Sequence, residues 1–375
     1  MDGVFNKKKK VIFFLQSGVG GSERVTVTIG KLLDVNKFEI VFCKVVKGVL
    51  AEKNSIDYFI PTSSRTINIS AKNGADMVLS LVDVLRRENP DIVFSSIFSI
   101  NTKLLLVSRF FKKTRFIIRC NNYLYTLSKI QQVLLKLTYK YADAIIAQTE
   151  EMKSELINNV KLPDNKVFVM YNPIDVTTIE EAVLENDPFI TEYKDNVKFV
   201  ASGRIHPVKG FDILIEAFAK VKEKISNAEL FILGHYDEQF EFYKKLQIII
   251  QNNRVSQSVH FEGFQTNPYK FVKNADCFVL SSRNEGLPNV LIEALFLGTP
   301  VAATKCIPVI ERIVSEGVNG FLAENENYIQ LADAMMKAIK LGRVNSAYKG
   351  SSNEPFQKLF EDLSQRDFHN IKWDR

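Results

Sequence analysis

The sequence predicts an α/β protein of two domains, each a parallel sheet with helices wound on both faces. Three observations carry that prediction. The chain has 375 residues, beyond the roughly 250–300 at which one hydrophobic core stops growing. Apolar runs of strand length alternate with helical patterns almost throughout, which is how parallel sheets are encoded. In mid-chain, Tyr171-Asn-Pro-Ile-Asp175 is a turn signal that opens a polar, acidic stretch reaching Asn196. The domains expected are therefore 1–175 and 196–345, joined by a linker at 176–195 and followed by a polar tail at 346–375.

Composition narrows the class. Hydrophobic content of 46% and charged content of 25% are ordinary globular values. Cys43, Cys120, Cys277 and Cys306 are widely spaced, with neither metal-ligand nor disulfide spacing, so a reducing cytoplasm is the expected compartment. Lys7–Lys10 precede the apolar run Val11–Leu15. Five residues are too few for a signal-peptide core or a membrane span, and a first strand is expected instead.

The net charge of +6 hides an asymmetry: residues 1–175 carry 26 Lys/Arg against 16 Asp/Glu, and the remainder 23 against 27. A basic domain suggests an anionic partner. No nucleic-acid motif accompanies the charge, so nucleic acid is not expected. An anionic membrane surface fits, at roughly 1 kcal/mol per nearby basic residue, which would make the protein peripheral on the inner face of the cell membrane.

In order along the chain, Lys10–Gln16 reads as the first strand. Ser17–Val25 follows as a glycine-rich loop entering a helix that runs to about Leu33. Gly20 and Gly21 let backbone approach a ligand beside free helical N–H groups, although a plain tight turn has the same composition. Strands are expected at Glu39–Val46, Thr66–Ile69, Asp91–Ser95 and Phe116–Arg119, with helices at Ala75–Arg87 and Asn101–Phe111. Arg119-Cys-Asn-Asn122 then reads as a loop in which Arg119 suits either an acceptor phosphate or an ordinary salt bridge. Tyr123–Tyr141 sets Leu, Tyr and Lys at helical spacing. Such a stretch either packs on its own sheet with lysines in water or lies in a bilayer interface. Ala144–Ala147 and Val167–Met170 close the first sheet.

Val197–Ala201 opens the second sheet and leads into Ser202-Gly-Arg-Ile-His-Pro-Val-Lys-Gly210. Gly203, Arg204 and Lys209 on one loop suit a diphosphate, since arginine offers a planar fork and lysine a compact charge. A helix at Phe211–Lys222 follows, then strands at Glu229–Leu233, Val259–Phe261 and Cys277–Leu280. The last of these delivers Ser281-Ser-Arg-Asn-Glu-Gly-Leu-Pro-Asn-Val-Leu-Ile-Glu293 and a strand at Thr299–Ala303. Glu285 belongs to the loop, Pro288 and Asn289 begin a helix, and Glu293 sits in its second turn. Two carboxylates beside open helix amides suit a ligand that is phosphate at one point and polyol at another.

Glu285-Gly-Leu-Pro-Asn-Val-Leu-Ile-Glu293, with Gly298-Thr-Pro300, resembles the Glu-x7-Glu signature of retaining, family-4 type glycosyltransferases of the bacterial surface-polysaccharide group. Gly20-Gly-Ser-Glu-Arg24 and the Gly203-Arg204…Lys209-Gly210 segment resemble the same family at matching places, and the likeness covers about residues 10–340. It implies the GT-B fold, two Rossmann-like domains facing a central cleft, with the last helix, near Phe356–Leu363, packing back on the first domain. It further implies transfer of a hexosyl or N-acetylhexosaminyl group from a UDP- or GDP-sugar to a lipid-linked or saccharide acceptor, without a cofactor or divalent metal. Arg204, Lys209 and the amides of Gly286, Leu287, Pro288 and Asn289 would take the diphosphate side of the donor, Glu285 the sugar hydroxyls, and Glu293 the ribose. Proline, lacking an N–H, contributes only its position to that set. Many relatives have a histidine near Asn121, so Arg119 and Asn121 are the acceptor-side candidates and Asn121 a departure from the pattern. A sugar-nucleotide epimerase of the same architecture would act on donor alone. A non-catalytic, membrane-associated binding protein would bind no donor.

Overall fold

The computed structural model describes residues 7–46, 55–345 and 354–365. The chain divides into two compact units, 1–173 with 351–375, and 174–350.

The first unit is a seven-stranded parallel sheet. Along the chain run β1 (Lys9–Gln16), α1 (Gly21–Leu32), β2 (Phe38–Val46), β3 (Arg65–Ser70), α2 (Gly74–Glu88), β4 (Ile92–Ser95), α3 (Phe98–Val107), β5 (Arg115–Cys120), α4 (Lys129–Thr138), β6 (Ala144–Ala147), α5 (Glu150–Asn158) and β7 (Val167–Val169). The strand order is β3-β2-β1-β4-β5-β6-β7, so the direction of winding reverses between β1 and β4. The strands are continuous apolar runs because both faces are covered; Val11 to Leu15 of β1 have no exposed surface. Expected strands and helices appear at the expected places, with ends shifted by a few residues. The helix read through Tyr123–Tyr141 is shorter, because Ser128 and Gln131 form a capping box that starts α4 at Lys129.

The second unit has a six-stranded parallel sheet. It comprises α6 (Val176–Ala182), β8 (Val197–Ser202), α7 (Phe211–Lys222), β9 (Ala228–Leu233), α8 (Glu241–Asn252), β10 (Val259–Gly263), α9 (Tyr269–Asn274), β11 (Cys277–Leu280), α10 (Asn289–Phe296), β12 (Val301–Thr304), α11 (Ile310–Ile313), β13 (Gly320–Ala323) and α12 (Tyr328–Ala338). Its order is β10-β9-β8-β11-β12-β13, which places the reversal between β8 and β11. In doubly wound sheets ligands bind beyond the carboxyl ends of the strands at that reversal. The two loops singled out in the sequence, after β8 and after β11, are the ones that flank it.

Two readings need correction. Residues 176–195 are not a free linker. Asp175 caps α6 by accepting from the Thr178 N–H, and Phe189 is buried with its ring 4.7 Å from Phe231. The acidic composition masks the aromatic anchors Phe189 and Tyr193, which fold this stretch onto the second unit. The segment at Arg119 is also not a loop at that point, because β5 continues through Cys120.

The helix expected near Phe356–Leu363 is α13 (Glu354–Ser364), and it belongs to the first unit. Phe356, Leu359, Phe360 and Leu363 fall on one helical face and are all buried. The Phe360 ring lies 5.8 Å from Phe13, 6.0 Å from Phe94 and 6.3 Å from Phe38. On its polar side, Gln357 accepts from the Asp34 N–H at 2.9 Å and Glu361 pairs with Lys37 at 2.7 Å. The other residues of the expected tail, 346–353 and 366–375, lie outside the described residues.

Candidate active site

In the second unit, the loops leaving β8, β9 and β11 meet backbone to backbone, and glycine makes this contact feasible. Gly210 has φ +63°, and a Cβ there would lie 2.0 Å from the Ser281 carbonyl oxygen. A Cβ on Gly234, at φ +149°, would lie 1.9 Å from the carbonyl oxygen of Gly203. Only glycine meets both demands, positive φ and contact distance. Gly203 donates its N–H to Leu233 O at 2.8 Å. Its bare Cα also leaves room for the Lys209 stem, which would sit 3.1 Å from an added Cβ.

This framework brings Lys209 to Glu285. Lys209 Nζ donates to Glu285 Oε1 at 2.7 Å, and Ser282 Oγ donates to the same oxygen at 2.6 Å. Both contacts fall on Oε1, and Oε2 has no hydrogen-bond partner among the described residues. The Ser281 hydroxyl donates to the Lys209 carbonyl at 2.9 Å, so two consecutive serines fix both ends of the pair. Arg204 is exposed, with no ion-pair partner among the described residues. Cys306 lies close by, and burial together with the Glu285 charge pushes its thiol up to about 12, so it stays a neutral thiol.

Beyond Gly286, Leu287 turns its side chain inward and is 7% exposed. Pro288 caps α10 without a side-chain hydrogen bond, so Leu287 contributes only its backbone amide and Pro288 only a turn. Asn289 is the first helical residue and half-buried. Glu293, in the second turn, accepts from Tyr269 Oη at 3.4 Å. The structure thus groups Gly203, Lys209 and Glu285 directly, and continues through Gly286–Asn289 to Glu293 on the adjoining helix.

Sequence reading missed Arg283, which lies inside the quoted motif. Its N–H donates to Val208 O at 2.8 Å, and its guanidinium reaches Pro207 O at 2.6 Å and Asp212 Oδ1 at 2.8 Å. Glu326 takes the Nε–H at 2.6 Å. Hydrogen bonding to Asp212 raises the guanidinium pKa further. Arg283 clamps the Pro207–Lys209 turn against the β11 loop. Its acidic partners are remote in sequence, so no local pattern signals it.

In the first unit, Gly20 precedes α1 and Gly21 is its first residue. A Cβ on Gly20 would meet the Glu23 carboxylate at 2.4 Å, whereas one on Gly21 would meet nothing within 4 Å. Thr26 and Ser96 hydroxyls, 2.5 Å apart, join α1 to the loop after β4 at the reversal of winding.

Arg119 corrects both sequence readings of it. It is 1% exposed, and it pairs with neither a carboxylate nor solvent. Nη1 donates to Asn121 Oδ1 at 2.9 Å and Nη2 to Asn172 Oδ1. Burial lowers its pKa from the ordinary arginine value, but it remains a cation at neutral pH. Its geometry is that of a support for Asn121, with no face open to an acceptor phosphate. Asn121 is half-buried, and its carboxamide is fully used: Nδ2 donates to Ser22 Oγ and Ser96 O, both at 2.6 Å, and Oδ1 accepts from Arg119 and from Gln148 at 3.2 Å. Ser22 Oγ is an acceptor in this contact and keeps its own proton to donate. Ser22, Gln148 and Asn172 were not singled out from the sequence. Among the described residues no group of three or more His, Cys, Asp or Glu converges to hold a metal.

Comparison with known proteins matches residues 184–352 to the glycosyl transferases group 1 family and residues 19–178 to Glycosyltransferase Family 4. Each half of the chain is thus similar to a glycosyltransferase domain. It is 36% identical over 244 residues to an uncharacterized glycosyltransferase, MJ1059, of Methanocaldococcus jannaschii; the alignment spans 60% of this chain and 58% of that protein. It is 26% identical to the N-acetylgalactosamine-N,N'-diacetylbacillosaminyl-diphospho-undecaprenol 4-alpha-N-acetylgalactosaminyltransferase of Campylobacter jejuni, over 92% of this chain and 94% of that one. Among solved structures, Anabaena Alr3699/HepE in complex with UDP and glucose superposes with a TM-score of 0.76 at 18% identity, covering 94% and 98% of the two chains. The fold is GT-B.

Proposed function

We propose that this protein transfers a hexosyl or N-acetylhexosaminyl group from a UDP- or GDP-sugar to a lipid-linked or saccharide acceptor, with retention at the anomeric carbon, in surface-polysaccharide synthesis. The observation that carries the reading is the Lys209–Glu285 pair at the reversal of the second sheet, beside an exposed Arg204 and the start of α10, which has no side-chain cap. Names among the relatives support it: one acts on a diphospho-undecaprenol-linked acceptor, and a structural neighbour holds UDP and glucose.

In this reading the bond from the anomeric carbon to the diphosphate oxygen breaks and one to the acceptor oxygen forms on the same face. The acceptor proton passes to the leaving phosphate oxygen. Negative charge grows on the diphosphate, and Arg204, Lys209 and the amides of Gly286, Leu287 and Asn289 stabilise it as fixed dipoles and charges. Glu285 holds Lys209 through Oε1 and offers Oε2 to a sugar hydroxyl. Glu293 accepts from the ribose hydroxyls. No residue is assigned as nucleophile, and the step runs without a divalent metal.

A screen of UDP-, GDP- and ADP-sugars, with and without a chelator, tests this directly. One donor should support transfer, in chelator as well, and Arg204→Ala and Lys209→Ala should each lower it by a hundredfold or more, the range of one lost electrostatic stabiliser. Wild-type activity in both variants would overturn the diphosphate assignment. Conversion of donor alone to an epimer would replace transfer by epimerisation.

A further inference from the structure

The α4 helix wears its apolar stripe on the outside. Ile130, Val133, Leu134 and Leu137 stand at the i, i+3, i+4, i+7 spacing that normally faces a core. Here they are 74%, 54%, 38% and 55% exposed. The buried face of α4 is instead formed by Leu135 and Thr138. At the end of α3, which packs against α4, Leu106 is 54% and Phe110 83% exposed. The Arg109 guanidinium lies 5.5 Å from the Tyr141 ring, tying the ends of the two helices together. This extends the apolar surface beyond a single helix.

The charge along this stretch of chain is basic, although Glu155 of α5 lines a pocket together with Lys136. Between residues 92 and 142 there are nine lysines and arginines and no aspartate or glutamate. Lys129, Lys136 and Lys140 follow one edge of the α4 stripe at helical spacing, all exposed. Arg109, Lys112 and Lys113 continue the basic fringe beyond α3, also exposed. Among the described residues no helix is long and apolar enough to cross a membrane, so contact with a bilayer would have to be made from its surface.

We propose that the outward face of α4, with the end of α3, docks on an anionic lipid bilayer. The aliphatic stripe enters the boundary between headgroups and acyl chains while the lysines meet lipid phosphates. An apolar centre with a predominantly basic edge matches an interfacial helix. It fits a protein partner less well, since lysine is depleted in protein–protein interfaces. None of the residues used here was assigned to the donor site, so this inference and the proposed reaction stand or fall separately.

The test is co-flotation of the full chain with vesicles of phosphatidylglycerol and phosphatidylethanolamine, or of phosphatidylcholine alone, at low and high salt. The wild type should float with the anionic vesicles at low salt and far less with phosphatidylcholine. The combined Lys129→Gln, Lys136→Gln, Lys140→Gln variant should lose about a hundredfold in partitioning, at roughly fivefold per lysine. The Val133→Asp, Leu137→Asp pair should abolish flotation while keeping the wild-type melting temperature, because both positions are on the exposed face. A wild type that stays in solution with anionic vesicles would overturn the proposal, as would a Val133→Asp, Leu137→Asp variant that floats as well as wild type. So would a wild-type dimer that this pair converts to monomer, which would make a second copy of the chain the occupant.

Discussion

Replacing Gly210 by alanine tests whether the loop after β8 is held by backbone contact. At φ +63° and ψ +30°, a residue with a Cβ costs about 1–2 kcal/mol. The added carbon would sit 2.0 Å from Ser281 O, where about 3.3 Å is the normal approach. The two loops must part by more than an ångström, an overpacking that costs about 1–3 kcal/mol more. Gly263→Ala is the matched control, because it has nearly the same φ, +67°, but its Cβ would meet nothing within 4 Å. Gly210→Ala should therefore lose about 2–5 kcal/mol and Gly263→Ala only the backbone share of about 1–2 kcal/mol. At roughly 2–4 °C per kcal/mol for a unit of this size, the two melting temperatures separate clearly in calorimetry. Transfer should separate more sharply. Parting the loops moves Lys209 against Glu285, now 2.7 Å apart, and a misplacement of about 1 Å costs on the order of a hundredfold in rate. If Gly210→Ala melts with Gly263→Ala and transfers at the wild-type rate, the contact does not hold the site.

Two further outcomes follow from other parts of the molecule. Phe360→Ala should destabilise the first unit by about 3–5 kcal/mol, as large cavities in aromatic cores do; unchanged denaturant unfolding would show that α13 is dispensable to that core. Asp212 is buried, which on its own would raise its pKa, but hydrogen bonds from Arg283 and Lys245 outweigh burial and hold it below the usual carboxylate value. A depressed folded pKa gives stability that is present above the unfolded value and lost as pH falls through the folded one. The gap in melting temperature between wild type and Asp212→Asn should therefore close as pH drops below the ordinary aspartate range. A gap that stays constant into acid would mean that Asp212 acts by shape alone.

Much of the fold was legible because parallel sheets and glycine-bearing loops are written locally. Buried strands such as Val11–Leu15 are unbroken apolar runs, and Gly203–Gly210 and Glu285–Glu293 carry their chemistry within a few residues. What escaped depends on contacts between distant segments. Arg283 is intelligible only once Asp212 and Glu326 stand beside it. Arg119 read as a loop residue suited to a phosphate or a salt bridge because its partners, the neutral amides of Asn121 and Asn172, carry no charge signal in the sequence. Composition hid Phe189 inside an acidic stretch. For α4, periodicity revealed an apolar stripe but not its direction, since the same spacing serves a helix facing the core or facing away from it.

The docking of α13 also sets an order of events during synthesis. The core around Phe13 and Phe94 is complete only once Phe360 has been made, because all three rings share it. The second unit is one uninterrupted segment, 174–350, and has all its strands before α13 is made. At roughly 5–20 residues per second, the opening sheet waits about 10–40 seconds for its final helix. The domain translated first is thus the one completed last. A chain stopped after the second unit would release a finished C-terminal domain tethered to an unfinished N-terminal one.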